Sequence, residues 1–224
     1  MAWLLLATAF FVGIHLLVAG TRLRDRLVAN LGEGAYRGLF SLASILGLGA
    51  MVWSYNRAPF LPVWDLGPGA RHAAALLLLL GFLLAVPGLT TRNPTAVGAD
   101  NALLRPPAGI VAVTRHPFLW AVLLWAVGHL LANGDAASIA FFGGFLVLAL
   151  FGPFSIDAKK ARLRPDTWPA FVAATSWLPF QAIAQGRARL DWRELGWWRP
   201  TLGLLAYLAF VFYLHEALFG LRPI

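Results

Sequence analysis

The sequence has no cysteine and few charged residues. Without cysteine, it excludes disulfides, thiolate catalysis, iron–sulfur clusters and cysteine-type zinc sites. Charged residues make up 12% of the chain, about half of the roughly 25% found in soluble domains. Hydrophobic residues make up 59%, and the mean hydropathy is +0.70. We therefore expect one integral membrane domain over residues 1–224, with an all-α fold.

Six apolar runs have lengths that suit a hydrocarbon core of about 30 Å. They predict a polytopic transmembrane helical bundle with spans at residues 3–20, 38–55, 73–90, 117–133, 136–154 and 201–219. Only the short turn Asn133-Gly134-Asp135 separates the fourth run from the fifth. A connection of that length predicts a tightly packed antiparallel helix pair.

The basic residues are distributed unevenly among the loops. Segments 21–37, 91–116 and 155–200 contain 15 of the 18 lysines and arginines. The positive-inside rule places these segments in the cytoplasm and both termini on the other side. In a membrane protein, the net charge of +8 indicates orientation and contact with anionic lipids, not nucleic-acid binding.

Two of the five histidines lie inside apolar runs, where an ionisable side chain is costly and marks a functional site by default. They are His15 in the first run and His129 in the fourth. Two membrane-embedded imidazoles suggest a pair of axial ligands for haem iron. The alternative is that each is a core histidine bonded to a serine or a backbone carbonyl.

Other histidines offer alternative pairings. His116 stands at the start of the fourth span, and its depth slightly favours a pairing with His15 over one between His15 and His129. His116 and His129 lie about 20 Å apart along one helix, so they do not bind the same iron. His129 with His215 is a further pair, although His215 adjoins Glu216 and suits an interfacial role.

The fourth span begins with Arg115, His116 and Pro117. Proline suits the first helical position, and the free N–H groups of that helix end favour an anion. Arg92 and Arg105 lie in the loop just before it. We expect this end to bind a lipid phosphate, a haem propionate or a cofactor carboxylate. The alternative for Arg115 is a simple contact with lipid headgroups.

Four motifs are spread over residues 11–159: FVGIHLLVAGTRLRDRL in the first span, Asn93-Pro94-Thr95, TRHPFLWAVLLWAVGHLLANGD in the fourth span, and Ser155-Ile156-Asp157-x-Lys159. With these motifs the chain resembles the NnrU family of bacterial membrane proteins. The resemblance implies a multi-pass protein of the bacterial inner membrane. It also implies a role linked to nitrite and nitric oxide metabolism, alongside a redox or reductase partner.

The NnrU family is similar to zeta-carotene isomerase, a plastid membrane enzyme that uses haem b. This similarity implies haem b here, with His15 and His129 as the iron ligands, and it overrules the depth preference for His116. Ala126 stands where the isomerase has a cysteine. Because alanine has no thiol, the resemblance does not support a ligand exchange that needs one. It also gives less support to isomerase activity itself.

Three functions follow as hypotheses. The first is a haem b protein that senses or processes a diatomic gas, moves electrons or isomerises a polyene, with propionates held by Arg115, Arg92 or Arg105. The second rests on the Arg-His-Pro start, which looks like that of isoprenylcysteine and phospholipid methyltransferases that bind S-adenosylmethionine. Those enzymes carry a Glu-Glu pair that is missing from DAKKARLRPDTW. The third is a non-catalytic accessory protein for a reductase.

Overall fold

The protein is all-helical in a computed structural model that describes residues 1–223. Within that range, extended pairing is limited to one isolated bridge between Pro62 and Asp135. The predicted all-α fold is therefore confirmed. Ile224, the last residue of the predicted domain, lies outside the described residues.

The helices follow one another along the chain with short connections. In order they are α1 (Ala2–Gly13), a π-helical turn (Ile14–Val18), α2 (Arg22–Leu31), α3 (Glu33–Tyr55), α4 (Pro68–Thr90), a 3-10 turn (Asp100–Leu104), α5 (Ile110–Val113), α6 (Pro117–Ala132), α7 (Ala136–Leu163), α8 (Trp168–Ala174), α9 (Gln181–Ala184), α10 (Trp192–Leu195), α11 (Trp198–Ala209), a π-helical turn (Phe210–Leu214) and α12 (His215–Phe219).

Four stretches of helix are long and apolar enough to cross a membrane: α3, α4, α7 and the continuous run Trp198–Phe219. A fifth candidate is the pair Ala2–Val18 and Arg22–Leu31, which is bent by 83°. Helix α6 is apolar but has 16 residues, fewer than the ~20 of a typical span. The chain is thus a multi-pass membrane protein, while six spans and the side of each terminus stay predictions.

The bend after the first span begins at its π-helical turn. The Thr21 hydroxyl donates to the carbonyl of Leu17 at 2.8 Å and accepts from the N–H of Leu23 at 3.2 Å, so it caps α2. Helix α2, with the sequence RLRDRLVANL, carries four charged residues in ten positions. Charged side chains are costly in hydrocarbon, so the chain turns aside here and the first apolar helix ends at Val18, two residues before the predicted boundary.

The predicted hairpin between α6 and α7 is confirmed. Asp135 caps α7, because its carboxylate accepts from the N–H groups of Ala137 and Ser138 at 3.0 and 3.1 Å. The N–H groups of Val63 and Trp64 donate to the carbonyl of Gly134 at 2.7 and 3.0 Å. The α3–α4 loop and the hairpin turn therefore lie at the same end of the bundle.

The three basic segments meet at the opposite end. The guanidinium of Arg162 lies 3.4 Å from the carboxylate of Asp25 and joins segments 155–200 and 21–37. Arg115 and Asp157 join segments 91–116 and 155–200 at 2.6 Å. These contacts place the basic segments together, and their cytoplasmic side stays a prediction.

The apolar core that holds the first span lies between α1, α3 and α7. Its buried side chains are Leu4, Phe11, Met51, Ala137, Phe141 and Phe142. Gly144 of α7 lies directly against Thr8 of α1. The missing side chain lets the two helices approach closely, as small residues do in membrane helix pairs.

Candidate functional site

His15 lies in the π-helical turn that ends the first span, and it is half-buried. Its Nδ1 is 2.7 Å from the carbonyl oxygen of Phe11. The imidazole packs against the rings of Phe11 and Phe40, with centroids 4.4 and 5.2 Å away. Because Nδ1 donates to a carbonyl, Nε2 carries the lone pair. No residue from 1 to 223 forms a hydrogen bond with that Nε2.

His129 has the same arrangement near the end of α6. Its Nδ1 is 2.8 Å from the carbonyl oxygen of Trp125. The imidazole stacks on Phe142 at 4.5 Å with an angle of 22° between the planes, and it contacts the Trp125 ring at 4.9 Å. Within the described part of the chain, its Nε2 is also without a hydrogen-bond partner.

Both histidines therefore have the chemistry of a metal ligand. Histidines that bind metal through Nε2 almost always donate Nδ1–H to a carbonyl or carboxylate, which fixes the tautomer and ring orientation. The exposed His72 makes the same bond to Pro68 at 3.0 Å, so the bond alone does not mark a ligand. His15 and His129 differ from His72 because they combine this bond with an apolar aromatic setting. His215 shares that combination: its Nδ1 lies 2.7 Å from the carbonyl oxygen of Leu221, and its ring contacts Phe210 and Phe219 at 5.9 and 5.0 Å.

A continuous chain of aromatic contacts, here called the aromatic cluster, connects the two histidines. Phe11, which touches His15, lies 5.6 Å from Phe145 between ring centroids. Phe145 lies 5.2 Å from Trp125, which touches His129. The two imidazoles sit at opposite ends of this chain, so binding one iron with both requires the rings between them to shift.

The histidine pair is also the kind of donor set that haem needs. Over residues 1–223, His, Asp and Glu side chains form no group of three or more that suits a metal ion. A bare metal site of the usual kind requires three or four protein ligands. Haem iron takes only its axial ligands from the protein, so two separate imidazoles in an apolar region fit haem better than a bare ion.

At the basic end, Asp157 of α7 joins the first two residues of the Arg-His-Pro motif. Its Oδ2 accepts from Nε and Nη2 of Arg115 at 2.9 and 2.6 Å. Its Oδ1 lies 2.8 Å from Nε2 of His116. We call Arg115, His116 and Asp157 the Asp157 cluster. His116 is buried, and this burial, which outweighs the opposing effect of Asp157, lowers the pKa of the imidazole.

The Asp157 cluster changes the interpretation of two predicted site residues. Nε2 of His116 is occupied by a carboxylate, so it differs from the free Nε2 atoms of His15 and His129. Arg115 is held by an ion pair and its side chain is only 12% exposed, so it is not a freely exposed headgroup contact. The sequence does not predict this role of Asp157, because nothing local connects it to residues 41 and 42 positions away.

The Asn93-Pro94-Thr95 motif holds the same helix start in place. The carbonyl oxygen of Arg115 accepts from Nδ2 of Asn93 at 3.0 Å and from the hydroxyl of Thr95 at 3.1 Å. The hydroxyl of Thr114 donates to the carbonyl of Trp177 at 2.7 Å. These bonds explain why a polar loop motif lies beside an apolar helix.

Arg92 and Arg105 line a separate cavity of ≈ 1110 Å³ at the basic end, together with Arg199. None of the five histidines lines this cavity, and Arg115 does not line it either. The structure thus brings two of the predicted anion-binding arginines together but sets them apart from the histidine pair. Their predicted contact with haem propionates stays a prediction, since none of the histidines lines the same cavity.

Comparison with known proteins gives a family over nearly the whole chain. The family described as NnrU protein matches residues 3–223. The 15-cis-zeta-carotene isomerase, chloroplastic, of Arabidopsis thaliana is 26% identical over 204 residues, covering 88% of this chain and 56% of that protein. The protein of the same description from Zea mays is 26% identical over 191 residues, covering 84% and 52%. The chain spans about half the length of these relatives, and no solved structure matches it.

Proposed function

The chain belongs to the NnrU family, and from that premise we propose that it is a haem b-binding, isomerase-like membrane protein with His15 and His129 as iron ligands. One observation carries the proposal. The two histidines lie in apolar helices and share one aromatic cluster, and each commits Nδ1 to a backbone carbonyl while Nε2 has no partner among residues 1–223. Haem b, when bound, would supply a redox-active iron, and the two imidazoles would hold it.

The surroundings of each histidine support this role. The carbonyls of Phe11 and Trp125 orient the rings and make the imidazoles better ligands. The aromatic cluster keeps water away, which tunes the redox potential of an iron centre. Ala126, which replaces the cysteine of the isomerase, is fully buried. Because the chain has no cysteine, a thiolate does not compete with the two histidines for the iron.

The substrate class follows from the relatives and from the character of the cluster. Both relatives are named for the isomerisation of 15-cis-zeta-carotene. A polyene has no polar groups, so a protein recognises it by apolar and aromatic surface. The rings between His15 and His129 supply such a surface, and their displacement gives a polyene and haem access to the same region. We therefore propose a cis polyene as substrate.

The remaining hypotheses stay as proposals with less support. The Arg-His-Pro start offers no free guanidinium or Nε2 to S-adenosylmethionine, because Asp157 engages both Arg115 and His116. His215 also directs Nδ1 to a backbone carbonyl, that of Leu221 at 2.7 Å, so His129 with His215 remains the alternative to His15 with His129. A link to nitrite and nitric oxide metabolism, a reductase partner and a bacterial inner membrane location are likewise proposals.

Conversion of 15-cis-zeta-carotene in lipid vesicles tests the proposed activity. Vesicles with the haem-loaded protein should convert the 15-cis isomer, followed by chromatography, and His15→Ala and His129→Ala should abolish the conversion. His72→Ala is the matched control, since His72 makes the same carbonyl bond at an exposed position. Equal conversion by all four proteins, or by empty vesicles, would refute the proposed activity.

A further inference from the structure

The cavity lined by Arg92, Arg105 and Arg199 carries an excess of positive charge. Of its fifteen lining residues, three are arginines and none is an aspartate or glutamate. Neither Arg92 nor Arg105 forms a side-chain hydrogen bond or ion pair with any residue between 1 and 223. The nearby Asp100 does not compensate them, because Lys160 and Arg164 hold it.

Arg199 is fixed in position without losing its charge. Its Nη1 donates to the backbone carbonyls of Glu194 and Leu195 at 3.2 and 2.5 Å. Carbonyl groups are neutral, so the guanidinium charge is not cancelled. Its Nε is buried and has no hydrogen-bond partner in the described chain, and the same holds for the hydroxyl of Thr91 in the cavity lining. Buried polar atoms without partners point to a missing water, ion or ligand.

The position of the cavity favours an amphiphilic ligand. It lies where α4 ends and α11 begins, at the basic end of two candidate spans. Leu104 in its lining is 78% exposed, and Trp197 beside α11 is 76% exposed. Exposed tryptophan near a span end is typical of the headgroup region of a bilayer. Arginine binds phosphate oxygens through two parallel N–H groups.

We propose that this cavity is a phosphate site that takes the headgroup of an anionic phospholipid, with Arg92, Arg105 and Arg199 as its cationic partners. The site is independent of the proposed haem function, because no histidine lines the cavity. The chemistry that it recognises is a phosphate oxygen group, so free inorganic phosphate is the other source that an experiment has to separate.

Native mass spectrometry of the purified full chain with added phosphatidylglycerol or phosphatidylcholine tests this site. The variant is Arg92→Gln with Arg105→Gln, and the control is Arg22→Gln with Arg26→Gln. All four arginines are exposed, so both double variants should fold, which a thermal melt in detergent checks. Both remove two charges from the basic end. They differ only in whether the charges line the cavity.

The wild type and the control should bind phosphatidylglycerol in preference to phosphatidylcholine. The cavity variant should bind phosphatidylglycerol at least about tenfold more weakly, since two charge-assisted contacts are lost. Displacement of the lipid by millimolar inorganic phosphate would identify free phosphate as the ligand and would keep the site. Equal weakening in both double variants, or no preference for the anionic lipid in the wild type, would overturn the proposal.

Discussion

At the scale of single residues, the role of each histidine is set by what its Nε2 meets. In His116 this nitrogen faces the carboxylate of Asp157 at 2.8 Å. In His15 and His129 it faces no hydrogen-bonding group of the described chain. The depth of an ionisable residue in an apolar run is enough to single out His15 and His129 as candidate ligands. The partner of His116 was not predictable, because the pairing depends on how α6 and α7 align.

Removing the carboxylate of the Asp157 cluster should destabilise the protein. Asp157→Asn leaves Arg115 and the buried His116 without their anionic partner. Removing one partner of a buried ion pair lowers the free energy of unfolding by about 3 kcal/mol. A thermal melt in detergent should show a clear fall in melting temperature. The control Asp166→Asn changes an exposed carboxylate and should stay within about 0.5 kcal/mol of the wild type. Equal melting of the two variants would contradict the role of this cluster.

Because of Asp100, the stability of the protein should fall at acidic pH. Burial raises its pKa, but the hydrogen bonds from Lys160 and Arg164 outweigh that effect and hold the pKa below the ordinary value of 3.8. A lowered carboxylate pKa contributes stability that is present above the ordinary value and is lost as the pH falls through the folded value. Melting temperatures between pH 5 and pH 3 should fall more for the wild type than for Asp100→Asn. Asp166→Asn should follow the wild type, and parallel curves for all three would show that the Asp100 contacts are not formed.

At the scale of secondary-structure elements, α7 connects the first span to the α6–α7 hairpin. It packs against α6 through the hairpin and against α1 through Gly144, and it carries Asp157 at its basic end. The sequence predicted its apolar run as 136–154, but the helix continues to Leu163. The extra turns include Lys160, which pairs with Asp100. A hydropathy pattern ends where charges begin, so it did not predict helical turns that ion pairs hold.

Because α1 and α7 approach closely, we expect substitutions at two neighbouring glycines of α7 to differ in their effect on stability. Gly144→Leu places a side chain against Thr8 and should destabilise the bundle by about 2 kcal/mol through overpacking. A Cβ at Gly143 has no atom of residues 1–223 within 4 Å beyond its own helix backbone. Gly143→Leu should therefore melt close to the wild type or slightly above it, since leucine is the better helix former. A reversed order of the two melting temperatures would refute this packing.

At the scale of the whole molecule, the bundle has two chemically different ends and an aromatic interior. The distribution of arginine and lysine predicts that segments 21–37, 91–116 and 155–200 lie on the cytoplasmic side. The contacts between them place all three at one end of the bundle, and the side of the membrane stays a prediction. The sequence predicted only some of the arginines that line the cavity at that end. Arg92 and Arg105 belong to one loop, whereas Arg199 joins them from α11, more than 90 positions later. Proximity of that kind depends on the tertiary fold and leaves no local pattern in the sequence.

The absorbance spectrum of the purified protein tests the central claim most directly. The protein is prepared in mild detergent from haem-replete cells, and oxidised and dithionite-reduced spectra are recorded with a pyridine haemochrome assay. We predict stoichiometric haem b, with the spectrum lost or shifted in His15→Ala and in His129→Ala and unchanged in His72→Ala. A colourless wild-type protein, or wild-type spectra in both variants, would contradict the assignment of these histidines as iron ligands.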